Sequence, residues 1–255
     1  PYEFGPGGSN FLRTSLNTFP TDTTQVEANI TAGSWTLESA ANQDAKGFPA
    51  LDYLLHNGTD SQVQARLAQD STRRAYIASL SQAMLARVQP TLDAWKNGYR
   101  DQFIAADGND VGSSLSLLFN ETVRDYEDMR RFKLGDCIGV RFLGEIRPEQ
   151  VEAYHSERSL ELLQLHIEVH RKLLDGTSRE DVDGPGMADY LDALDAEAAA
   201  GPLSEALSEQ MLAGSNELDR LNSPLQEACQ TETAQVQAAY DELQQGVVLY
   251  KSDAA

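Results

Sequence analysis

The sequence has few basic residues and no long apolar run, and each of these absences excludes a class of protein. Among its 255 residues, 20 Lys and Arg stand against 40 Asp and Glu, so the formal net charge is −20. Contacts with phosphates need clustered basic side chains, and this charge therefore excludes nucleic acid as a partner and disfavours docking on anionic membranes. No apolar stretch reaches the roughly 20 residues of a membrane-spanning helix, so no transmembrane segment is predicted.

Cysteines are also scarce, and they leave two alternatives open. Cys137 and Cys229 have no CxxC spacing and are too few for a disulfide scaffold. They can form one bridge across a long loop in an oxidising compartment, or they can remain as two buried thiols. The usual nucleotide-binding and hydrolase signatures are absent as well, so no motif of that kind assigns an enzyme class.

What the sequence does contain is the periodicity of apolar residues that is typical of α-helices. Apolar residues recur every three or four positions along residues 61–105, and Pro90 within that stretch predicts a kink. The alternation of apolar and polar residues that is typical of β-strands never persists beyond four residues, so we predict an all-α fold. The predicted helices are 49–55, 61–105, 112–133, 149–175, 187–199, 202–219 and 224–251. Residues 1–45 are expected to be irregular, with one helical turn near Trp35–Ala41.

The predicted helix 149–175 has an unusual polar line between two apolar stripes. This line consists of Glu152, His155, Ser159, His166 and His170. Buried polar groups need partners, which are either hydrogen-bonding groups or a bound ligand. His166 and His170 are four residues apart and can share one metal ion, or they are hydrogen-bonded core histidines. His155 lies about 16 Å from His166 along a helix axis, which predicts two separate places.

The segment Lys46–Leu55, KGFPALDYLL, resembles the signature region of the imelysin family, which includes a protease first described as insulin-cleaving. Other family-like pieces follow in the family's order across nearly the whole chain. These pieces are Gly112–Leu115, Lys133–Gly135, Pro148–Ser159, Gly186–Leu191 and Tyr240–Asp253.

The resemblance implies two helical-bundle halves that face each other across a cleft. It also implies a protein of the bacterial periplasm or cell envelope, such as a lipoprotein, often under iron regulation. We expect the halves to be residues 1–107 and 108–255. The first half is expected to lack its N-terminal helices, because the chain begins at the Phe-Gly-Pro segment that follows them in the family.

The family's proposed metal motif, GxHxxE, is altered in this sequence. Gly47 is retained, but Pro49 replaces the His and Asp52 replaces the Glu. Proline has no donor atom in its side chain, so the pair that would bind a cation is lost. Zinc catalysis requires three protein ligands and an activated water, so the change weighs against a metallopeptidase and leaves enzymatic activity open.

The sequence thus favours an envelope binding protein for a metal or small ligand, linked to iron uptake, with other envelope proteins as further partners. We expect the cofactor, if there is one, to be a divalent or ferric ion. The predicted ligand-binding residues, drawn from both halves of the cleft, are Gly47, Asp52, Glu152, His155, Ser156 and Ser159. The candidate metal ligands are Asp52, Glu152 and His155, with His166 and His170 as a separate pair. The alternatives are a metal-dependent peptidase with a rebuilt site and a non-catalytic structural or interaction protein.

Overall fold

The computed structural model describes residues 12–108 and 110–253, in two compact units. Unit 1 consists of Pro1–Glu121 and Glu152–Ser156, and unit 2 consists of Thr122–Val151 and Glu157–Ala255. The described residues are almost entirely helical, which confirms the all-α prediction; the strands among them are the antiparallel two-residue pair Glu197–Ala198 and Gly201–Pro202. In the described part of the chain, no helix is both long enough and apolar enough to span a bilayer.

Unit 1 is a cluster of helices of unequal length. These are α1 (Leu12–Leu16), α2 (Thr23–Ala32), α3 (Gly47–His56), α4 (Asp60–Gln69), α5 (Ser71–Ala94) and α6 (Arg100–Ala105). The prediction of one continuous helix over 61–105 is wrong at two points. Asp70 ends α4 and caps α5 by accepting the backbone N–H of Arg73, and Gly98 adopts a left-handed φ of 118°. Pro90 lies inside α5 without ending it.

The N-terminal region is more ordered than predicted. Residues 1–45 are expected to be irregular, but α1 and α2 lie within them, while residues 1–11 fall outside the described part of the chain. The Asp22 side chain caps α2 by accepting the N–H of Gln25, and Gly33 ends that helix in the left-handed conformation. The turn predicted near Trp35–Ala41 corresponds to a 3-10 turn at Ala40–Asn42.

The core of unit 1 lies where α2, α3 and α5 pack together. Val26, Leu54 and Leu80 are buried there around Tyr76, which is fully buried. The Tyr76 hydroxyl donates to the carbonyl of Ala45 at 2.6 Å, so the polar end of this large side chain is satisfied inside the core.

Unit 2 is a larger set of helices. They are α7 (Ser114–Asp128, which begins in unit 1), α8 (Ser159–Asp175), α9 (Met187–Ala193), α10 (Leu203–Leu218), α11 (Leu225–Thr231) and α12 (Thr233–Val248). A π-helical turn, Met129–Gly135, continues α7, and another, Leu249–Asp253, continues α12. Helices α10 and α12 approach closely at Gly214, which has no side chain. A Cβ added there would lie 2.5 Å from the side chain of Leu243.

Three sequence predictions for unit 2 need correction. The helix predicted over 149–175 begins only at Ser159, and residues 150–157 form turns in which Ala153 and Glu157 have positive φ angles. Glu152 and His155 therefore do not continue the helical line of His166 and His170. The helix predicted over 187–199 ends at Ala193, and the helix predicted over 224–251 is interrupted at Glu232.

The two cysteines form one disulfide, Cys137–Cys229, with their Cα atoms 6.0 Å apart. Both residues are fully buried in unit 2. The bridge ties the turns that follow Gly135 to helix α11, across a separation of 92 residues. Of the two alternatives left open by the sequence, the structure has the disulfide.

Candidate metal centre

Unit 2 brings one carboxylate and two imidazoles together. Asp125 lies near the end of α7, and His166 and His170 lie one turn apart on α8. Oδ2 of Asp125 is 2.8 Å from Nε2 of His166 and 3.2 Å from Nε2 of His170. The two imidazole rings stack with their centroids 5.2 Å apart. One ligand atom from each residue lies within 4.8 Å of the other two, which is close enough for a single ion to contact all three.

Burial and charge act together on this cluster. The Asp125 side chain is one-third exposed, that of His166 is 19% exposed, and that of His170 is 3% exposed. Burial acts to raise the pKa of Asp125, but hydrogen bonding and attraction to the two imidazoles outweigh it, so its pKa lies well below the usual range. Burial lowers the pKa of His170, although Asp125 opposes this effect. An anionic carboxylate and a neutral imidazole are the protonation states that bind metal ions.

The outer nitrogens of the two imidazole rings are buried and unsatisfied in the part of the chain that the structure describes. Nδ1 of His166 and Nδ1 of His170 are buried, and neither has a hydrogen-bond partner among the described residues. The ring of Tyr126 packs at right angles to the ring of His170, with centroids 5.3 Å apart. An ion bound at the two Nε2 atoms would leave each Nδ1 as an N–H donor, for which the described residues supply no acceptor.

Two imidazole nitrogens and one carboxylate oxygen are a familiar ligand set. Imidazole suits zinc, iron, copper and nickel, and two histidines with one carboxylate are typical of non-haem Fe(II) sites and of catalytic zinc sites. Three protein ligands leave coordination positions for water or an exchangeable ligand. The partly exposed Asp125 carboxylate gives this cluster access to solvent.

The sequence identifies only part of this cluster. His166 and His170 are among the predicted metal ligands, and the structure adds Asp125. The spacing of the two histidines carries a local signal, whereas Asp125 precedes His166 by 41 residues. The sequence contains one general indication: a metal bound by two histidines needs at least one more protein ligand, which can come from another helix.

The altered family motif has a different environment, in unit 1. Oδ2 of Asp52 accepts the backbone N–H of His155 at 2.8 Å, and Oδ1 accepts that of Ser156 at 3.1 Å. Both carboxylate oxygens therefore hold the 152–156 segment, which belongs to unit 1, although the sequence predicts it in the second half. This contact supports a structural role for Asp52.

The structure also gives the surroundings of the predicted ligand residues Glu152, His155 and Ser159. Oε1 of Glu152 accepts a hydrogen bond from the side-chain amide of Asn17 at 2.6 Å. The ring of His155 packs edge-on against Tyr53, and burial lowers its pKa, with Asp52 acting in the opposite direction. Ser159 is buried at the first position of α8, in unit 2.

Gly47 begins α3 with a φ of 76°, and a Cβ there would lie 2.2 Å from the carbonyl oxygen of Leu16. Glycine is therefore required at this position by the packing of unit 1. Pro49, which replaces the family's His, is buried in the same helix.

Fold and site together define a two-unit, all-α protein with a candidate metal centre on two helices of unit 2. Residues 1–250 match the model of the Imelysin family, and the chain belongs to that family. Comparison with curated proteins found no match.

Two solved structures share the fold. One is an iron-regulated protein A precursor from Parabacteroides distasonis, at 15% identity and a TM-score of 0.73, covering 99% of this chain and 78% of the other. The second is an imelysin-like protein from Psychrobacter arcticum, at 19% identity and a TM-score of 0.67, covering 98% and 73%. At these identities the likeness concerns the fold alone.

Proposed function

We propose that this imelysin-family protein binds one divalent transition-metal ion through Asp125, His166 and His170, and that it serves in iron handling in the bacterial envelope. The observation that carries the proposal is the convergence of three metal-binding side chains within 4.8 Å in a largely buried place. Helices α7 and α8 hold these side chains on rigid elements, which favours a defined geometry.

Iron is the metal that the ligand set and the comparisons support together. Two histidines and one carboxylate are the usual protein ligands of non-haem Fe(II). One structural neighbour is described as iron-regulated. Nitrogen and oxygen ligands of this kind bind Zn²⁺ as well, so Zn²⁺ is a suitable redox-inert probe of the same site.

The disulfide supports the proposed location. Disulfides persist in oxidising compartments such as the bacterial periplasm, and they are rare in the reducing cytosol. The Cys137–Cys229 bridge is fully buried and closes a loop of about 90 residues, as a structural disulfide does. A periplasmic or envelope-anchored protein is consistent with this chemistry.

A metal-dependent peptidase is the second candidate, and the number of protein ligands favours it. Catalytic zinc sites use three protein ligands and one open position, which is what this cluster offers. Glu168 lies between the two histidines in the sequence. Its carboxylate forms an ion pair with Arg171 at 3.0 Å, so it is not positioned as a general base. Chelator-sensitive cleavage of an unstructured peptide, lost in Asp125→Asn, would support this activity.

Calorimetric titration with Zn²⁺, and with Fe²⁺ under anaerobic conditions, tests the proposed site. We expect one ion per chain for the wild type and a loss of affinity of about tenfold or more in Asp125→Asn and His166→Gln, because each variant removes a ligand. His56→Gln is the matched control, because His56 is exposed at the end of α3 and should leave binding unchanged. Equal affinity and stoichiometry in all four proteins would overturn the proposal.

A further inference from the structure

The disulfide in unit 2 links the two parts of the fold that carry the candidate metal ligands. Asp125 lies on α7, and the π-helical continuation of that helix, Met129–Gly135, leads to Cys137. Cys229 lies on α11, and α11 packs against α8, the helix that carries both imidazoles of the cluster. The bridge therefore joins the segment that follows the carboxylate to a helix that supports the two histidines.

These elements form a closed circuit around the candidate metal centre. The π-helical turn after α7 contacts α8 directly, and Oδ2 of Asp125 reaches Nε2 of His166 at 2.8 Å. A path that leaves Asp125 along α7 crosses the bridge to α11, passes to α8 and returns to Asp125 through the imidazole. Within this circuit the bridge is the covalent link between α7 and α11, while the contacts between helices are non-covalent.

The bridge and a bound ion close overlapping loops of the chain. The disulfide spans 92 residues, from Cys137 to Cys229, and α8 lies inside this loop. An ion held by Asp125 and His166 closes a second loop across 41 residues, and Cys137 lies inside that one. Each closure removes conformational freedom from the segment 137–166 that the loops share, so each lowers the entropic cost of the other. The two closures are therefore energetically coupled.

We propose that Cys137 and Cys229 are positioning residues of the metal centre, because their bridge holds α7 against α8 with the ligands in place before an ion arrives. This inference rests on the proposed metal site. Preorganised ligands bind an ion more tightly, since fewer groups have to be ordered on binding.

The bridge also sets an order of events in the maturation of the protein. Its formation transfers two electrons and two protons from the two thiols to a disulfide oxidant, which becomes a dithiol. Cys137 and Cys229 are fully buried in the folded chain, out of reach of soluble reductants, so the bridge acts once and is not a reversible switch. The chain consequently acquires its tight metal site only after folding in an oxidising compartment.

The test compares the Zn²⁺ affinity of the full chain with and without the bridge, in competition with a chelating dye of known affinity. The double variant Cys137→Ala plus Cys229→Ala removes the bridge and leaves no thiol that could bind zinc. We expect one ion per chain in both proteins, bound about tenfold more weakly by the variant, as when a group that supports a metal ligand is lost.

Leu243→Ala is the matched control. Leu243 is fully buried and packs at Gly214, between α10 and α12, so its truncation leaves a cavity and lowers the thermal midpoint while the bridge remains. This variant should bind Zn²⁺ as tightly as the wild type. Circular dichroism shows whether each variant is folded at the temperature of the titration.

Hydrogen exchange of the wild type gives a second measurement, which decides the inference if the double variant does not fold. Coupling is reciprocal, so Zn²⁺ should slow the exchange of backbone amides in α11, although that helix supplies no ligand. Helix α4, in unit 1, should exchange at the same rate with and without zinc. Unchanged exchange in α11 would overturn the positioning role.

The outcomes separate this inference from the proposed function. Equal Zn²⁺ affinity in the wild type and the double variant refutes the positioning role and leaves the metal site standing. An equal loss of affinity in Leu243→Ala attributes the effect to general destabilisation and refutes the positioning role as well. If the wild type binds no zinc, the proposed function fails, and the positioning role fails with it.

Discussion

The two candidate sites each contain one aspartate, and the two carboxylates have different partners. Asp125 faces two imidazoles, and its charge is available to a cation. Asp52 instead faces two backbone N–H groups, which occupy both of its oxygens. Residue type alone does not separate these roles, whereas the partners do. These partners support the proposed metal centre in unit 2 and a structural role for Asp52.

Replacing Asp52 by Ala should lower stability without affecting metal binding. The variant leaves two backbone N–H groups of the 152–156 segment without their acceptor, and we expect a loss of about 1–3 kcal/mol in the free energy of unfolding. Urea denaturation measures the loss, and zinc titration measures the stoichiometry. Asp101→Ala, at a side chain that is 84% exposed, should change stability by less than about 0.5 kcal/mol. Loss of the bound ion in Asp52→Ala would show that Asp52 is a ligand after all.

Gly47 gives a second prediction at a single residue. Gly47→Ala adds the cost of a left-handed alanine, about 1 kcal/mol or more, to a clash of its Cβ with the backbone of Leu16. Gly33→Ala has a similar φ of 65° but no atom within 4 Å of the added Cβ. Thermal denaturation should therefore show a clearly larger loss for Gly47→Ala than for Gly33→Ala. Equal losses would mean that the close approach to Leu16 does not matter.

At the same scale, the sequence locates two members of the candidate metal centre and misses the third for a physical reason. His166 and His170 are recognisable because helical periodicity fixes their relation to each other. Asp125 comes from a different helix, and only the packing of α7 against α8 brings it within hydrogen-bonding distance of His166. Tertiary contacts of this kind leave no periodic trace in a single sequence.

At the scale of elements, helix identity is easier to predict than helix boundaries. The first ten residues of the helix predicted over 149–175 are not helical, because the chain turns through Ala153 and Glu157. That turn is held by Asp52, about 100 residues earlier. By contrast, α2 could have been predicted from its capping residues, since Asp22 precedes it and Gly33 follows it, although its apolar pattern is weak.

Helices α2 and α5 are joined by an ion pair that makes the stability of unit 1 depend on pH. Both oxygens of Glu27 accept hydrogen bonds from the Arg73 guanidinium, at 2.9 and 2.6 Å, and Tyr53 donates to the same carboxylate. Burial alone would raise the pKa of Glu27, but these hydrogen bonds and the charge of Arg73 lower it below its ordinary value near 4.5. A lowered folded-state pKa means that the stabilisation is full above about pH 4.5 and is lost as the pH falls through the folded-state pKa.

Urea denaturation of wild type and Glu27→Gln at pH 7 and pH 3 checks this linkage. We expect the variant to be less stable than the wild type at pH 7, and the difference to become smaller towards pH 3, because the wild-type carboxyl is increasingly protonated as the pH falls. Glu38→Gln is the control, because Glu38 pairs with Arg87 but is 66% exposed. A difference for Glu27→Gln that is the same at both pH values would contradict the assignment.

At the scale of the whole molecule, the sequence predicts the all-α class and the imelysin resemblance correctly. Helical periodicity and the absence of alternation establish the class, because both depend on local spacing. The disulfide is different, since Cys137 and Cys229 are separated by 92 residues and only the fold brings them together. Their pairing, like the placement of Asp125, follows from tertiary structure.

The proposed function depends on a metal ion held by Asp125, His166 and His170. Anomalous scattering from crystals grown with Zn²⁺ and measured at the zinc absorption edge tests it most directly. We expect one strong peak within about 2.0–2.2 Å of one atom from each of these three side chains. A peak at Asp52, Glu152 and His155 with none at the three predicted ligands, or no peak on the chain at all, would contradict it.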